Sequence, residues 1–236
     1  MKLPKTVLHL SWPLIACAAF GCSDPWLHVQ RLNPYVTKGW AEDEAYLATL
    51  HTKLKAVEEI RWQLATLEPQ VQQEWSRTLT HIIENDDNAL LRAAAVKTLA
   101  QLPGPLAEPG LSKALEDSAA SVRVAACEAW CRHDANHAVE HLARVLGSDS
   151  HLDVQLAAAK GLGQFDDPRA ITALGLALNS KDPALQYRAS RSLAQLTPVD
   201  FGRDVVAWKK YLKGEPVSPP QSSWSSLVRL PWSPWR

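Results

Sequence analysis

The sequence contains few glycines and few runs of β-branched residues. Its 236 residues include 10 glycines, and alanine and leucine dominate the stretch between residues 40 and 213. Alanine and leucine have high helix propensity, whereas β-branched and aromatic residues favour strands. The composition therefore predicts an all-α fold and argues against a domain built on a β-sheet.

The chain also has no excess of charge of either sign. Lys+Arg and Asp+Glu are equal at 25 each. A protein without net positive charge has no global field that would hold it to nucleic acid or to an anionic membrane surface. We expect no nucleic-acid partner, so any electrostatic preference must come from a local arrangement of side chains.

Motifs for nucleotide binding or for a nucleophilic serine are missing, including GxGxxG, GxxxxGK[ST] and GxSxG. The one candidate for chemistry is the HxxEH spacing of His137, Glu140 and His141, with His133 one turn upstream. Two histidines at i and i+4 are able to share a zinc ion, but no third ligand is identifiable. We predict no metal, no cofactor and no enzymatic activity, and a metal-dependent enzyme built on this cluster is the weaker alternative. His133 falls at a position that is apolar in the other repeats described below, which indicates a packing role.

Apolar segments are short throughout the chain, and the longest of them lies at the N-terminus. Lys2 and Lys5 precede an apolar segment at residues 7–20, and Gly21 begins the polar chain that follows. A segment of about 14 residues is too short to span a bilayer, which takes about 20. A charged start, an apolar centre and small residues at a cut site are typical of a secretory signal. The sequence predicts a signal peptide over residues 1–21.

The four cysteines divide into two pairs with different roles. The first pair lies at the end of the apolar segment, where bacterial lipoproteins place the cysteine that becomes diacylated. Cys22 is the preferred attachment site and Cys17 the alternative. The chain therefore resembles a lipid-anchored, extracytoplasmic protein of the bacterial cell envelope, and a plain secretory signal or an uncleaved anchor is the competing interpretation. Cys127 and Cys131, at i and i+4, fit disulfide geometry poorly and are expected to pack as small apolar side chains.

An internal repeat organises most of the remaining chain. Four segments superimpose without gaps, and their equivalent residues Leu91, Val122, Val154 and Leu185 are 31, 32 and 31 residues apart. A helical stretch precedes each segment, so the unit is a helix, a short turn and a second helix. Apolar residues recur in the second helix at i, i+4, i+8 and i+11, which is a stripe that one unit cannot bury alone. The units are therefore predicted to stack into an α-solenoid over residues 68–198.

This unit resembles the HEAT repeat, in the short form found in phycobilisome lyases. The resemblance rests on an aspartate followed six residues later by arginine and then by alanines, as in Asp86 with Arg92 and Asp117 with Arg123. It implies that the aspartate caps the second helix and that the arginine pairs with an aspartate of the adjacent unit, which makes a ladder. Glutamine replaces arginine in the third and fourth units, which predicts looser stacking there. HEAT-like metalloenzymes of the deoxyhypusine hydroxylase type carry repeated His-Glu dipeptides, and this sequence has none.

Helices are predicted on both sides of the repeats. Leucines at heptad-like spacing predict one long helix over residues 42–67, which either covers the open end of the solenoid or forms the seam of a coiled-coil dimer. Residues 199–213 are predicted to form a C-terminal capping helix. Residues 22–41 are expected to be an extended linker, and residues 214–236 a disordered tail rich in proline, serine and tryptophan. The oligomeric state does not follow from these patterns.

The predicted partner-binding surface is the outward stripe of the second helices, which would line the concave side of the solenoid. It holds five basic residues and one acidic residue in a chain of zero net charge. Such a stripe indicates an acidic protein segment or an anionic glycan as ligand. We predict a membrane-tethered, protein-binding scaffold, and the alternative is a structural envelope lipoprotein without a specific ligand. The surface residues are Lys97, Glu128, Arg132, Lys160, Arg188 and Arg191.

Overall fold

In a computed structural model of the chain, residues 49–217 are described, and all regular structure in that range is helical. The chain divides into two units, residues 1–52 and residues 53–236, and every repeat lies in the second. The helices are α1 (Leu50–Arg61), a 3-10 turn (Leu64–Thr66), α2 (Pro69–Asn85), α3 (Ala89–Leu99), α4 (Gly104–Ala114), α5 (Ala120–Trp130), α6 (Ala135–Ser148), α7 (Leu152–Leu162), α8 (Pro168–Ala177), α9 (Pro183–Leu196) and α10 (Val205–Leu212).

Several sequence predictions lie outside the described residues. They are the signal peptide at residues 1–21, the linker at residues 22–41 and the lipid attachment at Cys22 or Cys17, together with the predicted tail from residue 218 onward. Within residues 49–217, no helix has both the length and the apolar character needed to cross a membrane.

The repeats form an α-solenoid of four helical pairs. The first helices of the pairs are α2, α4, α6 and α8, and the second helices are α3, α5, α7 and α9. Each second helix packs on the second helix of the next unit, so that α3, α5, α7 and α9 make one continuous layer. The predicted apolar stripe forms the core of this layer, since Leu91, Leu99, Val154 and Leu162 are all buried.

Polar caps and prolines mark where the helices begin. The side chains of Asn88, Asp134 and Asp182 accept hydrogen bonds from backbone N–H groups in the first turns of α3, α6 and α9. Proline is the first residue of α2, α8 and α9, where its fixed φ suits a helix and its missing N–H costs nothing. These local signals explain why the helix pairs are separated by such short turns.

A small residue in each second helix lets neighbouring helices approach closely. The Thr98 hydroxyl donates to the carbonyl of Val57 in α1 at 3.1 Å, and the Ser192 hydroxyl donates to the carbonyl of Ala159 in α7 at 2.8 Å. The equivalent residue of α7 is Gly161, where an added Cβ would lie 2.8 Å from a cysteine sulfur of the preceding unit. The side chain at this position is therefore limited by the distance between helices.

The N-terminal helix ends before the end of its predicted range, residues 42–67. Residues 42–48 lie outside the described range, and α1 ends at Arg61. Leu64 follows in the 3-10 turn and is fully buried, so the chain leaves the helix axis to insert it into the core. Pro69 then begins α2, and proline disfavours helical backbone at the residue before it. The buried Val57 places α1 against α3, so α1 covers the N-terminal end of the solenoid.

The C-terminal helix α10 covers the other end of the repeats. Trp208 is fully buried and its Nε1 donates to the carbonyl of Gly202 at 3.2 Å. Gly202 has a φ of +57°, a conformation that favours glycine. Phe201 lies edge-on to the Trp208 ring, with centroids 5.1 Å apart. An aromatic cluster thus replaces the next repeat that the apolar stripe of α9 would otherwise need.

Candidate binding surface

Two buried arginine–aspartate pairs join the first three units. Arg92 donates to Asp117 through Nε and Nη2, both at 2.7 Å, and Arg123 donates to Asp149 at 2.7 and 3.0 Å. The four side chains are between 6% and 11% exposed. Hydrogen bonding from Arg123 holds the pKa of Asp149 below its usual range. This two-point geometry is the strong form of a charge-assisted hydrogen bond.

The ladder aspartates do not cap the second helices in the way that the resemblance implies. Asp117 accepts a hydrogen bond from the N–H of Ala119 at 2.8 Å, and Asp149 accepts one from the N–H of His151 at 2.8 Å. Each of these N–H groups belongs to the residue just before the helix. Because the carboxylate also faces the arginine of the preceding unit, it lies upstream of the helix start and braces the turn instead.

Glutamine performs one part of the arginine's role in the third and fourth units. Arg92 and Arg123 each donate, through Nη1, to a carbonyl six residues upstream, at 2.8 and 2.7 Å. Gln155 and Gln186 donate to the equivalent carbonyls at 2.8 Å each. Among the described residues, neither glutamine bonds to the unit that follows. The turn inside each unit is therefore held throughout, whereas the link between units stops after the third.

Two shallow depressions that share lining residues lie on α3, α5 and α7, and we call them together the repeat groove. Its first part, with a volume of about 230 Å³, lies between α3 and α5, and its second, of about 300 Å³, lies between α5 and α7. The two parts share Glu128 and Arg132. Because the second helices pack closely, the floor of the groove consists of small residues, which are Ala100, Ala125, Ala129, Ala157 and Gly161.

Four of the six predicted surface residues line the repeat groove. Lys97, Glu128 and Arg132 line its first part, and Lys160 joins Glu128 and Arg132 in the second. The other two, Arg188 and Arg191, lie on α9 and line neither part. Since α9 is one helix beyond α7, these arginines belong to the same layer but not to the groove.

The HxxEH spacing does not bring its residues to one point. His137 Nδ1 lies 3.1 Å from Glu108 Oε2 on α4, whereas the His141 ring stacks on the buried Trp130 with centroids 4.4 Å apart. Glu140 is exposed. Across residues 49–217, no three His, Cys, Asp or Glu side chains are grouped so that they could hold a metal ion.

His133 is half-buried and packs edge-on against Trp130, with ring centroids 6.1 Å apart. Burial lowers the pKa of His133, and it lowers the pKa of His141 in the same way. Protonation of either ring would place a charge in a partly desolvated position. Both histidines therefore belong to the packing between the second and third units.

Cys127 and Cys131 are free thiols on successive turns at the end of α5. The Cys131 thiol donates to the carbonyl of Cys127 at 3.3 Å. Burial raises the pKa of the Cys127 thiol to about 12. A thiol held in its neutral form is a poor nucleophile. Cys127 is buried and Cys131 is half-buried, so the pair packs as small apolar side chains.

The helical pairs match the family model of HEAT repeats over residues 76–157 and 139–204, which together cover 129 of the 236 residues. The chain belongs to the HEAT-repeat family. None of the curated proteins matches its sequence.

The solved structures that resemble this chain have low sequence identity to it. Human deoxyhypusine hydroxylase in complex with glycerol is 20% identical over 51% of this chain, with a TM-score of 0.47, and the chain spans 43% of that enzyme. The CpcE and CpcF complex of phycocyanin lyase from Nostoc sp. PCC7120 is 20% identical over 65% of this chain and 95% of that chain, with a TM-score of 0.44. An engineered protein is 19% identical over 67% of this chain and 85% of that chain, with a TM-score of 0.38.

Two residues of the groove lie outside the HEAT-repeat pattern and were not predicted. Arg61 and Trp62, at the end of α1, form one wall of the first part of the groove. The sequence analysis placed them inside a continuous helix over residues 42–67, where no face would single them out. Pro69 was the available signal, because a proline that starts α2 requires a change of chain direction shortly before it.

Proposed function

We propose that this HEAT-repeat chain is a non-enzymatic scaffold whose repeat groove binds an acidic segment of a partner protein. One observation carries the proposal: Arg61, Lys97, Arg132 and Lys160 surround a groove whose walls contain one carboxylate, Glu128. The chain as a whole has equal numbers of basic and acidic residues. The positive charge is therefore local, and a local field of this kind selects and orients an oppositely charged partner.

The shape of the groove favours a chain segment over a small molecule. Pockets for small molecules usually have volumes of about 300–1,000 Å³ and enclose most of the ligand. The two parts of the repeat groove, at about 230 and 300 Å³, are at or below that range and follow one another along the helix layer. A floor of alanine and glycine lets an extended backbone approach the helices closely, while the basic side chains reach its carboxylates.

A charge-reversal experiment tests this proposal. In the test variant, Lys97, Arg132 and Lys160 are each changed to glutamate, and in the matched control Arg77, Lys181 and Lys210, which are exposed and line no part of the groove, are changed in the same way. The probe is a fluorescein-labelled glutamate-rich peptide, and its binding is measured by anisotropy. We expect the groove variant to bind at least about tenfold more weakly and the control to bind like the parent chain.

The outcomes of the same experiment separate the candidate ligands. Equal binding of the peptide by the groove variant and the control would remove the groove from the proposal. Binding of heparin but not of the peptide would identify an anionic glycan instead of a protein segment. Crosslinking of the tagged chain in its native envelope, repeated with the groove variant, then tests whether the physiological partner uses the same surface.

We further propose that a lipid on Cys22 tethers the scaffold to the bacterial cell envelope on the extracytoplasmic side. The support is the order of a charged start, an apolar segment and a cysteine at its end. We expect Cys22→Ser to abolish palmitate labelling and to release the protein from the membrane fraction, while Cys17→Ser changes neither. The reverse pattern would move the attachment to Cys17. Unchanged membrane association of a Cys17→Ser/Cys22→Ser variant would overturn the tether.

The non-enzymatic part of the proposal is supported by the partners of the candidate zinc ligands. His137 is engaged by Glu108 and His141 by Trp130, so their rings are held by different elements. We expect the purified protein to contain well below one equivalent of zinc. Stoichiometric zinc that is lost in a His137→Ala/His141→Ala variant would instead favour a metal-dependent enzyme.

A further inference from the structure

Trp62 is a large aromatic side chain that the solenoid leaves 78% exposed. A single exposed apolar residue is normal on a protein surface and carries no conclusion alone. The position of Trp62 is what distinguishes it, because the ring stands at the end of the repeat groove, beside the alanines of α3 and α5. This end of the groove, which we call the corner, therefore combines an aromatic ring and an apolar floor with charged side chains on its rim.

Arg61, the neighbour of Trp62 in the chain, contacts the ring. The Arg61 guanidinium lies 4.6 Å from the centroid of the Trp62 ring, a distance within the range of a cation–π contact. Arg61 is only partly exposed, and it lines the same part of the groove. One face of the indole is thus covered by a cation, and the remaining surface is open to a ligand.

We propose that Trp62 and the alanine floor bind one aromatic side chain of the acidic segment, so that the partner motif is a phenylalanine, tyrosine or tryptophan flanked by carboxylates. This inference rests on the proposed function of the groove. A volume of about 230 Å³ is small for a cofactor but sufficient for a side chain. Aromatic rings gain attraction from stacked or edge-on contact beyond the area they bury.

Charge complementarity determines what surrounds the aromatic residue. Arg61, Lys97 and Arg132 line the corner, and Glu128 is the one carboxylate among its lining residues. Carboxylates on either side of the bound ring would each meet a cation, whereas lysine or arginine at those positions would be repelled. The aromatic side chain supplies a rigid anchor with little loss of rotamer freedom, which is the usual role of such residues at the centre of an interface.

Peptide binding to the full-length protein tests the inference. Three labelled peptides of equal length are compared: a glutamate-rich peptide with one central phenylalanine, the same peptide with alanine there, and a lysine-rich peptide with phenylalanine. We expect the parent chain to bind the first about fivefold more tightly than the second, and to bind the third least. Trp62→Ala is expected to bind the first two equally, and Trp62→Phe to keep the preference.

The control for Trp62→Ala is Leu176→Ala, which removes an apolar side chain of similar exposure (68%) on α8, away from the groove. It should leave both affinities unchanged. A phenylalanine preference that survives in Trp62→Ala would overturn the aromatic pocket while leaving the acidic groove intact. Failure of the parent chain to bind either acidic peptide would overturn the proposed function as well. Loss of anionic-vesicle binding in Trp62→Ala, without change in peptide binding, would assign the corner to a membrane surface and also overturn the pocket.

Discussion

The first and second halves of the solenoid use different side chains to hold the turn between the two helices of each unit. In the first two units an arginine bonds both to a carbonyl of its own turn and to the aspartate of the next unit. In the last two units a glutamine bonds to the carbonyl alone. Where Gln155 lies, the following unit presents Ser180 in place of aspartate, so donor and acceptor are replaced together. The comparison shows that bracing a turn and linking two units are separable tasks.

The largest effect is expected when an arginine of the first two units is replaced by the glutamine that the last two units carry. Arg123→Gln keeps the bond to the carbonyl of its own turn but leaves the Asp149 carboxylate, 8% exposed, without its cation. Removing one member of a buried pair is strongly destabilising, and Asp149 keeps its hydrogen bond from the N–H of His151. We expect a loss of about 3 kcal/mol in the free energy of unfolding, measured by urea denaturation.

Two further variants show whether the stranded carboxylate causes that loss. Arg123→Gln/Asp149→Ser reproduces the junction between the third and fourth units, and we expect it to recover part of the loss. Arg144→Gln removes an exposed arginine whose contact with Glu116 is 4.0 Å long, and it should have little effect. If the double variant is as unstable as Arg123→Gln, the carboxylate is not responsible.

The reverse exchange sharpens the comparison and has a smaller expected effect. Gln155→Arg/Ser180→Asp installs the missing link between the third and fourth units. We expect a favourable coupling energy of about 1–2 kcal/mol in a double-mutant cycle, because each single variant introduces a charge without its partner. The Ser180 hydroxyl already accepts from the N–H of Asp182 at 3.1 Å, as the ladder aspartates do from their own turns. A coupling energy near zero would mean that α9 is set too far from α7 for the link to close.

The half-buried His133 ring, which packs against Trp130, is expected to make stability depend on pH. The change in the free energy of unfolding should be at most about 1 kcal/mol, because solvent partly screens the ring. Burial lowers the pKa of His133 in the folded state, so between that pKa and the unfolded value of about 6.5 the unfolded chain binds more protons. Stability should therefore fall as the pH drops below about 6.5. His133→Leu, which copies the apolar residue of the first unit, should lose part of this dependence in urea titrations at pH 7.5 and 5.5. His81→Gln, at an exposed histidine of α2, should retain it.

Features that repeat along the chain could be predicted from the sequence. The composition was sufficient for the all-α fold. The spacing of Leu91, Val122 and Val154 was sufficient for the helix pairs and the buried stripe, because the same local pattern recurs and each copy supports the others. The resemblance to HEAT repeats also supplied the partners of Arg92 and Arg123. Four of the six residues predicted from the face opposite the stripe line the groove, since a helix has only one outward side.

Features that occur once could not be predicted in the same way. The end of α1 depends on the burial of Leu64, and the wall formed by Arg61 and Trp62 depends on where α1 meets α3, which is a contact between distant segments. The stacking of His141 on Trp130 likewise joins two units that no periodicity connects. Arg188 and Arg191 lie on α9, one helix beyond the groove, and the sequence pattern does not show at which helix the groove ends.

The smallest effect is expected at the open end of the ladder, where a lysine stands in the place of the missing arginine. Lys53 Nζ lies 3.2 Å from Asp86 Oδ2, but the lysine is 48% exposed and Asp86 is 19% exposed. The pKa of Asp86 is lowered first by the hydrogen bond from the backbone N–H of Asn88, with Lys53 a lesser cause. We expect Lys53→Ala to cost no more than about 0.5 kcal/mol, and the cost to vanish in 1 M salt, because exposed ion pairs are weak and screened. A loss comparable to that of Arg123→Gln would show that the stabilisation by an ion pair of the ladder does not depend on its burial. The contrast between the buried pairs and the exposed terminal pair would then be wrong.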